Sequence, residues 1–145
     1  FLFSTFLWDA VSTQAEKNLA DGLPESIAYQ QAASKVISKQ VQHTAFPKHI
    51  GMAMRDVWGM QPRFIARGGS KAFRLLSHPK FRAAYDFLVL RAETGGADKA
   101  LATWWTDFQI APEGKQKNMV ANLNKSAPKK RRRRRKPTVK AKIND

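Results

Sequence analysis

Asp21-Gly22-Leu23-Pro24-Glu25-Ser26-Ile27-Ala28-Tyr29-Gln30-Gln31-Ala32-Ala33-Ser34-Lys35-Val36-Ile37-Ser38-Lys39-Gln40-Val41 is the stretch that decides the fold class. Gly22 suits a helix C-terminus, Pro24 a first helical position, and Glu25 complements the positive end of the helix that follows. Ile27, Ala28, Ala32, Val36, Ile37 and Val41 then recur with a period of about 3.6 residues, which marks a helix with one apolar face. The same pattern continues on both sides. Upstream, Leu2, Phe3, Phe6, Leu7 and Ala10 fall at helical spacing and read as a core face. Downstream, Pro47 opens a helix with Ile50, Met54, Val57 and Trp58 on its apolar side. Pro62 and then Gly68-Gly69-Ser70 punctuate the next stretch, with Ser70 expected as an N-cap. Short helices are expected over 71–77 and 80–93, the second entered through Pro79. Gly95-Gly96 reads as a turn and Asp98 as the cap of a helix holding Leu101, Trp104, Trp105 and Phe108, which Pro112 ends. A last short helix would carry Met119, Val120 and Leu123. No segment alternates with the period of a strand, so the expectation is an all-α, compact multi-helix domain over 1–124.

The chain has 145 residues, 43% of them hydrophobic, enough for one core and too many for a wholly disordered polybasic protein. It has no cysteine, which excludes a disulfide framework, a thiolate nucleophile and a Cys-ligated zinc site. The first eight residues are nearly all apolar. A signal peptide would begin with basic residues, yet no Lys or Arg precedes Lys17; a membrane span would need ~20 apolar residues, and Asp9 interrupts the run. The expectation is a piece of a larger protein, beginning inside or beside a helix.

The net charge of +15 makes a polyanion the default partner: nucleic acid first, an anionic membrane surface second. It is unevenly placed. Residues 48–91 hold nine basic residues against Asp56 and Asp86, and residues 125–145 hold 11 against Asp145, while the remaining segments are slightly acidic. In the middle block Arg63, Arg67, Lys71 and Arg74 recur at three- and four-residue intervals, followed by Lys80, Arg82 and Arg91. If the Gly68-Gly69 break leaves the neighbouring turns aligned, these cations form one ridge held by the aromatic residues between them. The bland alternative is an ordinary solvated face, but such faces mix signs. The other block contains Lys129-Lys130-Arg131-Arg132-Arg133-Arg134-Arg135-Lys136, cations that repel one another and cannot pack. Residues 125–145 are therefore expected to form a disordered basic tail, able to release counterions along a nucleic-acid backbone or to meet anionic lipid.

No catalytic constellation is visible. The acids are scattered singly, and no Asp-x-Asp pair exists to hold two metal ions. Gly68-Gly69-Ser70-Lys71 lacks the spacing of a phosphate-binding loop and reads as a helix-capping turn. His43, His49 and His78 lack the spacing of a helical metal pair, and no metal site is expected. Trp104 could stack a base, whereas Trp105 shares a face with Leu101 and Phe108 and reads as core.

The run Arg67-Gly68-Gly69-Ser70-Lys71-Ala72-Phe73-Arg74-Leu75-Leu76-Ser77-His78-Pro79-Lys80-Phe81-Arg82-Ala83-Ala84-Tyr85-Asp86-Phe87-Leu88 closely resembles the C-terminal region of the bacterial poly(A) polymerase I family. Trp104-Trp105-Thr106-Asp107-Phe108-Gln109, and upstream Phe46-Pro47-Lys48 with Arg55-Asp56-Val57-Trp58, resemble it too. The resemblance implies an enzyme that adds adenylates from ATP to RNA 3′ ends through a nucleotidyltransferase head N-terminal to this chain. It implies ATP and Mg²⁺ for that head and no cofactor for this chain. It further implies RNA as partner, RNA-decay or RNA-chaperone proteins as further partners, and a cytoplasmic location. The chain alone would be an RNA-binding body with Arg63, Arg67, Lys71, Arg74, Lys80, Arg82, Arg91 and the 129–136 run as its RNA-binding residues. A basic module docking an acidic protein partner, or a tail associating weakly with an anionic membrane, are the other readings open to the sequence.

Overall fold

A computed structural model of the chain describes residues 2–45 and 47–126, and every regular element in it is a helix. These are α1 (Leu2–Phe6), α2 (Trp8–Ala20), α3 (Glu25–Val41), α4 (Lys48–Ile65), α5 (Ser70–Leu76), α6 (Phe81–Glu93), α7 (Lys99–Ile110) and α8 (Glu113–Ser126). The expected all-α fold is the observed one. The run 129–136 and most of the expected basic tail lie outside the described residues, and α8 continues to Ser126, slightly beyond the expected boundary.

The turns form where the sequence placed them. Gly22 takes φ +85 after α2, and the amides of Gly22 and Leu23 donate back to the carbonyls of Leu19 (3.0 Å) and Asn18 (3.1 Å). That pair of bonds satisfies the last free carbonyls of the helix, and only glycine adopts such a φ without strain. The Asn18 side chain then donates to the Ala28 carbonyl at 2.9 Å, tying α2 to α3. Asp98 caps α7 as expected, its Oδ1 accepting from the Ala100 amide at 2.9 Å. Asp98→Ala is expected to cost about 1 kcal/mol, read as a lowered urea midpoint, and Asp98→Asn almost nothing.

Burial corrects several expectations. In α1 and α2 the inward stripe is Ser4, Trp8, Val11 and Ala15, while Phe6 is 78% exposed. A segment apolar on nearly every side carries no periodicity to choose the buried face. In α3 the small residues Ala28, Ala32 and Ala33 are buried together with Ile37, and Ile27 and Val41 are exposed. Pro62 does not break α4, which runs to Ile65. A proline this close to the helix end removes one backbone bond, and the residue is buried. Ser70 begins α5 rather than capping it; the cap is Gly69, at φ +59 and ψ −139, with no side-chain bond to the helix.

The single core expected from composition is two buried clusters. One gathers Trp8, Val11, Ala15, Ala32, Ala33, Ile37, Met54, Val57, Trp58 and Phe87 from α2, α3, α4 and α6. The other gathers Met60, Phe64, Ala72, Leu75, Phe81, Ala84, Tyr85, Leu88, Leu101, Trp105, Phe108 and Val120 from α4 through α8. Helix α4 serves both, because its 18 residues span about 27 Å. Two indoles fasten it: Trp58 Nε1 donates to the Ser4 carbonyl and Trp105 Nε1 to the Phe64 carbonyl, each at 3.0 Å and both buried.

Candidate nucleic-acid interface

The last turn of α4, the bend over 66–69 and helix α5 bring three of the expected cations together. Arg63, Lys71 and Arg74, with Ala66 and Leu75, line an open cleft of about 250 Å³. All three cations are exposed. No carboxylate lines the cleft, and among the described residues none of the three forms an ion pair. The floor beneath is rigid for a local reason: Ala72 and Leu75 point inward from α5, and Phe73 packs edge-on against Phe108 at 5.4 Å. Phe64, next to Arg63, is wedged between Phe81 (5.9 Å) and Trp105 (5.2 Å).

The remaining cations are placed differently. Arg67 does not continue the ridge. The bend at Ala66 (φ −81, ψ 55) and the Gly69 turn redirect the chain, so a three- to four-residue spacing across them no longer marks one face. Its half-buried guanidinium lies over the Trp104 ring at 5.0 Å. Phe108 stacks parallel on the same indole at 4.7 Å, so the ring that could have stacked a base already has an aromatic neighbour on it. Arg91 is a tertiary fastener. Its Nη1 donates to Gln61 Oε1 (3.1 Å), its Nη2 to the Gly96 carbonyl (2.7 Å), and its guanidinium covers Trp8 at 4.3 Å. Burial lowers the pKa of both Arg67 and Arg91; Asp98 partly offsets this for Arg67 and the Tyr29 phenol for Arg91. Arg82 pairs with Asp86 at 3.0 Å on the exposed side of α6 and lies over Tyr85 at 5.7 Å, so its charge is partly spent within the helix. Lys80 is exposed before α6, its amide donating to His78 Nδ1 at 3.1 Å.

Sequence reasoning passed over Gln61. It is 4% exposed, and its Nε2 donates to the carbonyls of Val57 (3.0 Å) and Ala84 (3.1 Å) while its Oε1 accepts from Arg91. The available signal was its spacing: with Met54, Val57 and Phe64 it falls on the buried stripe of α4, where an amide must find internal partners.

Among the described residues no group of three or more His, Asp or Glu could hold a metal ion, and no helix is long and apolar enough to cross a membrane. The family model for the polymerase A arginine-rich C-terminus matches residues 21–138. Over 144 residues the chain is 38% identical to the poly(A) polymerase I of Escherichia coli O6:H1 and 37% identical to that of Salmonella typhi. Over 149 residues it is 34% identical to the poly(A) polymerase I of Haemophilus influenzae. Each alignment takes in 97% of this chain but only 31–33% of the relative, so the chain spans about a third of the length of the curated relatives it matches. Matched by that family over most of its length, and helical throughout its described part, the chain belongs to the arginine-rich C-terminal region of the bacterial poly(A) polymerase family.

Proposed function

We propose that the chain is the RNA-holding part of a polynucleotide adenylyltransferase and that the cleft of Arg63, Lys71 and Arg74 grips the primer strand by its phosphates. The observation that carries this reading is the cleft itself: three unpaired cations on a rigid floor, with no carboxylate among the lining residues. Phosphate contacts of this kind position a strand without reading its sequence, which suits an enzyme that extends many different 3′ ends. Lys80 and the 125–145 arm add attraction that rises steeply as salt falls. Addition of adenylates from ATP belongs to a catalytic head in the cytoplasmic whole enzyme. The ATP and Mg²⁺ that this step needs belong, on this reading, with that head.

Titration of the ¹⁵N-labelled chain with single-stranded oligoadenylate tests the reading. The amide signals of residues 63, 71 and 74 should shift together and saturably, and should return when salt is raised. Shifts confined to the Arg82–Asp86 face of α6, with the cleft silent, would remove the cleft from the interface.

A further inference from the structure

On the other side of the α4 terminus lies a cavity of about 320 Å³, whose lining includes Gln61, Ile65, Arg67, Leu88, Arg91 and Leu101. It shares none of its lining residues with the cleft described above. Two guanidiniums face it, and among the described residues neither is in an ion pair. Arg67 makes no hydrogen bond there, and the Nε atoms of both arginines are buried without a partner. Arg91 spends one hydrogen on Gln61 and one on Gly96, which leaves a further N–H on each Nη. Asp98 also lines the cavity, but its Oδ1 is held by the Ala100 amide as the cap of α7.

Two partly desolvated guanidiniums face a cavity whose one carboxylate, Asp98, is tied to the start of α7 and forms an ion pair with neither. That leaves positive charge in excess, and partly buried charge is costly unless a partner of opposite sign is brought in. The guanidinium fork matches phosphate oxygens in pairs. The volume exceeds the needs of a bare phosphate and sits at the low end of the ~300–1,000 Å³ of small-molecule sites. Ile65, Leu88 and Leu101 supply apolar wall for the remainder of such a ligand. The geometry points to a second site: the Arg67–Arg91 cavity binds a phosphate group carried on a nucleoside, with both guanidiniums as its ligands. The phosphate comes from a free mononucleotide or strand end, or from a phosphodiester within a strand. Gln61, held by Val57 and Ala84, is the positioning residue that fixes Arg91.

The indole N–H signals of the full chain read this directly. Trp104 and Trp8 lie beneath the two guanidiniums, whereas Trp58 and Trp105 are bonded inside the core. Adenosine 5′-monophosphate should shift the first pair saturably and leave the second pair in place; adenosine, which lacks the phosphate, should shift neither. Arg67→Gln should weaken the monophosphate about tenfold with the Trp58 and Trp105 signals unchanged, the scale of one charged hydrogen-bonding partner. The triple alanine variant of Arg63, Lys71 and Arg74 should bind the monophosphate as the parent chain does, which separates this site from the cleft. Adenylyl-adenosine, with an internal phosphodiester only, identifies the source: a shift assigns the strand, and silence beside a responding monophosphate assigns the terminal phosphate. Equal response to adenosine, no response to the monophosphate, or wild-type affinity in Arg67→Gln overturns the proposal.

Discussion

Replacing Arg63, Lys71 and Arg74 together by alanine is expected to weaken binding of single-stranded RNA ~50-fold at about 0.15 M salt and to lower the slope of log affinity against log salt by about 2, as loss of three phosphate contacts on a single strand requires. The three side chains are exposed and unpaired, so their removal costs the fold little: each surface change should stay within about 0.5 kcal/mol. The loss should be alike for oligomers of different sequence, because contacts to phosphate carry no base information. Binding measured across a salt series decides it. An unchanged slope would mean that the cleft leaves the phosphates untouched and that the attraction arises elsewhere in the chain.

Trp105→Ala is expected to be the most damaging single substitution in the described part. The indole is fully buried, with Phe64, Phe81 and Phe108 all within 5.7 Å of it, ring centre to ring centre. Truncating such a side chain costs about 3–5 kcal/mol through lost burial and an unfilled cavity. The Phe64 carbonyl would also lose the indole that caps it at the end of α4. Trp105→Phe keeps much of the apolar area but drops the N–H donor and leaves a smaller void, so it should cost less than the alanine change, about 1–3 kcal/mol. Urea denaturation of the two variants ranks the two losses. Because Phe64 adjoins Arg63, Trp105→Ala should also weaken RNA binding at temperatures where the chain is still folded. Full RNA affinity in a folded Trp105→Ala variant would show that the cleft does not depend on this anchor.

The expectations that held share a physical basis. Gly22 and Asp98 act through bonds to residues two to five positions away, so their roles are legible in a short window of sequence. Leu101, Trp105 and Phe108 recur at helical spacing and are buried together. The misjudged positions lie where local pattern carries little information. Phe6 sits in a run apolar on nearly all sides, and Pro62 follows a buried glutamine whose partners are remote in sequence.

The separation of charge into a folded middle and a terminal block was determined by the sequence alone, since counting needs no coordinates. So was the helical class, because helix periods and caps are set within a few residues. Which cations act together was decided only in three dimensions. Arg63, Arg67, Lys71 and Arg74 look equivalent as a spacing, yet Arg63, Lys71 and Arg74 share one cleft and Arg67 faces another cavity with Arg91. The bend between α4 and α5 interrupts the helical period, so its direction is fixed by docking of the flanking helices on Trp105, Phe81 and Phe108. Those contacts reach across up to about forty residues of chain, a distance over which periodicity says nothing.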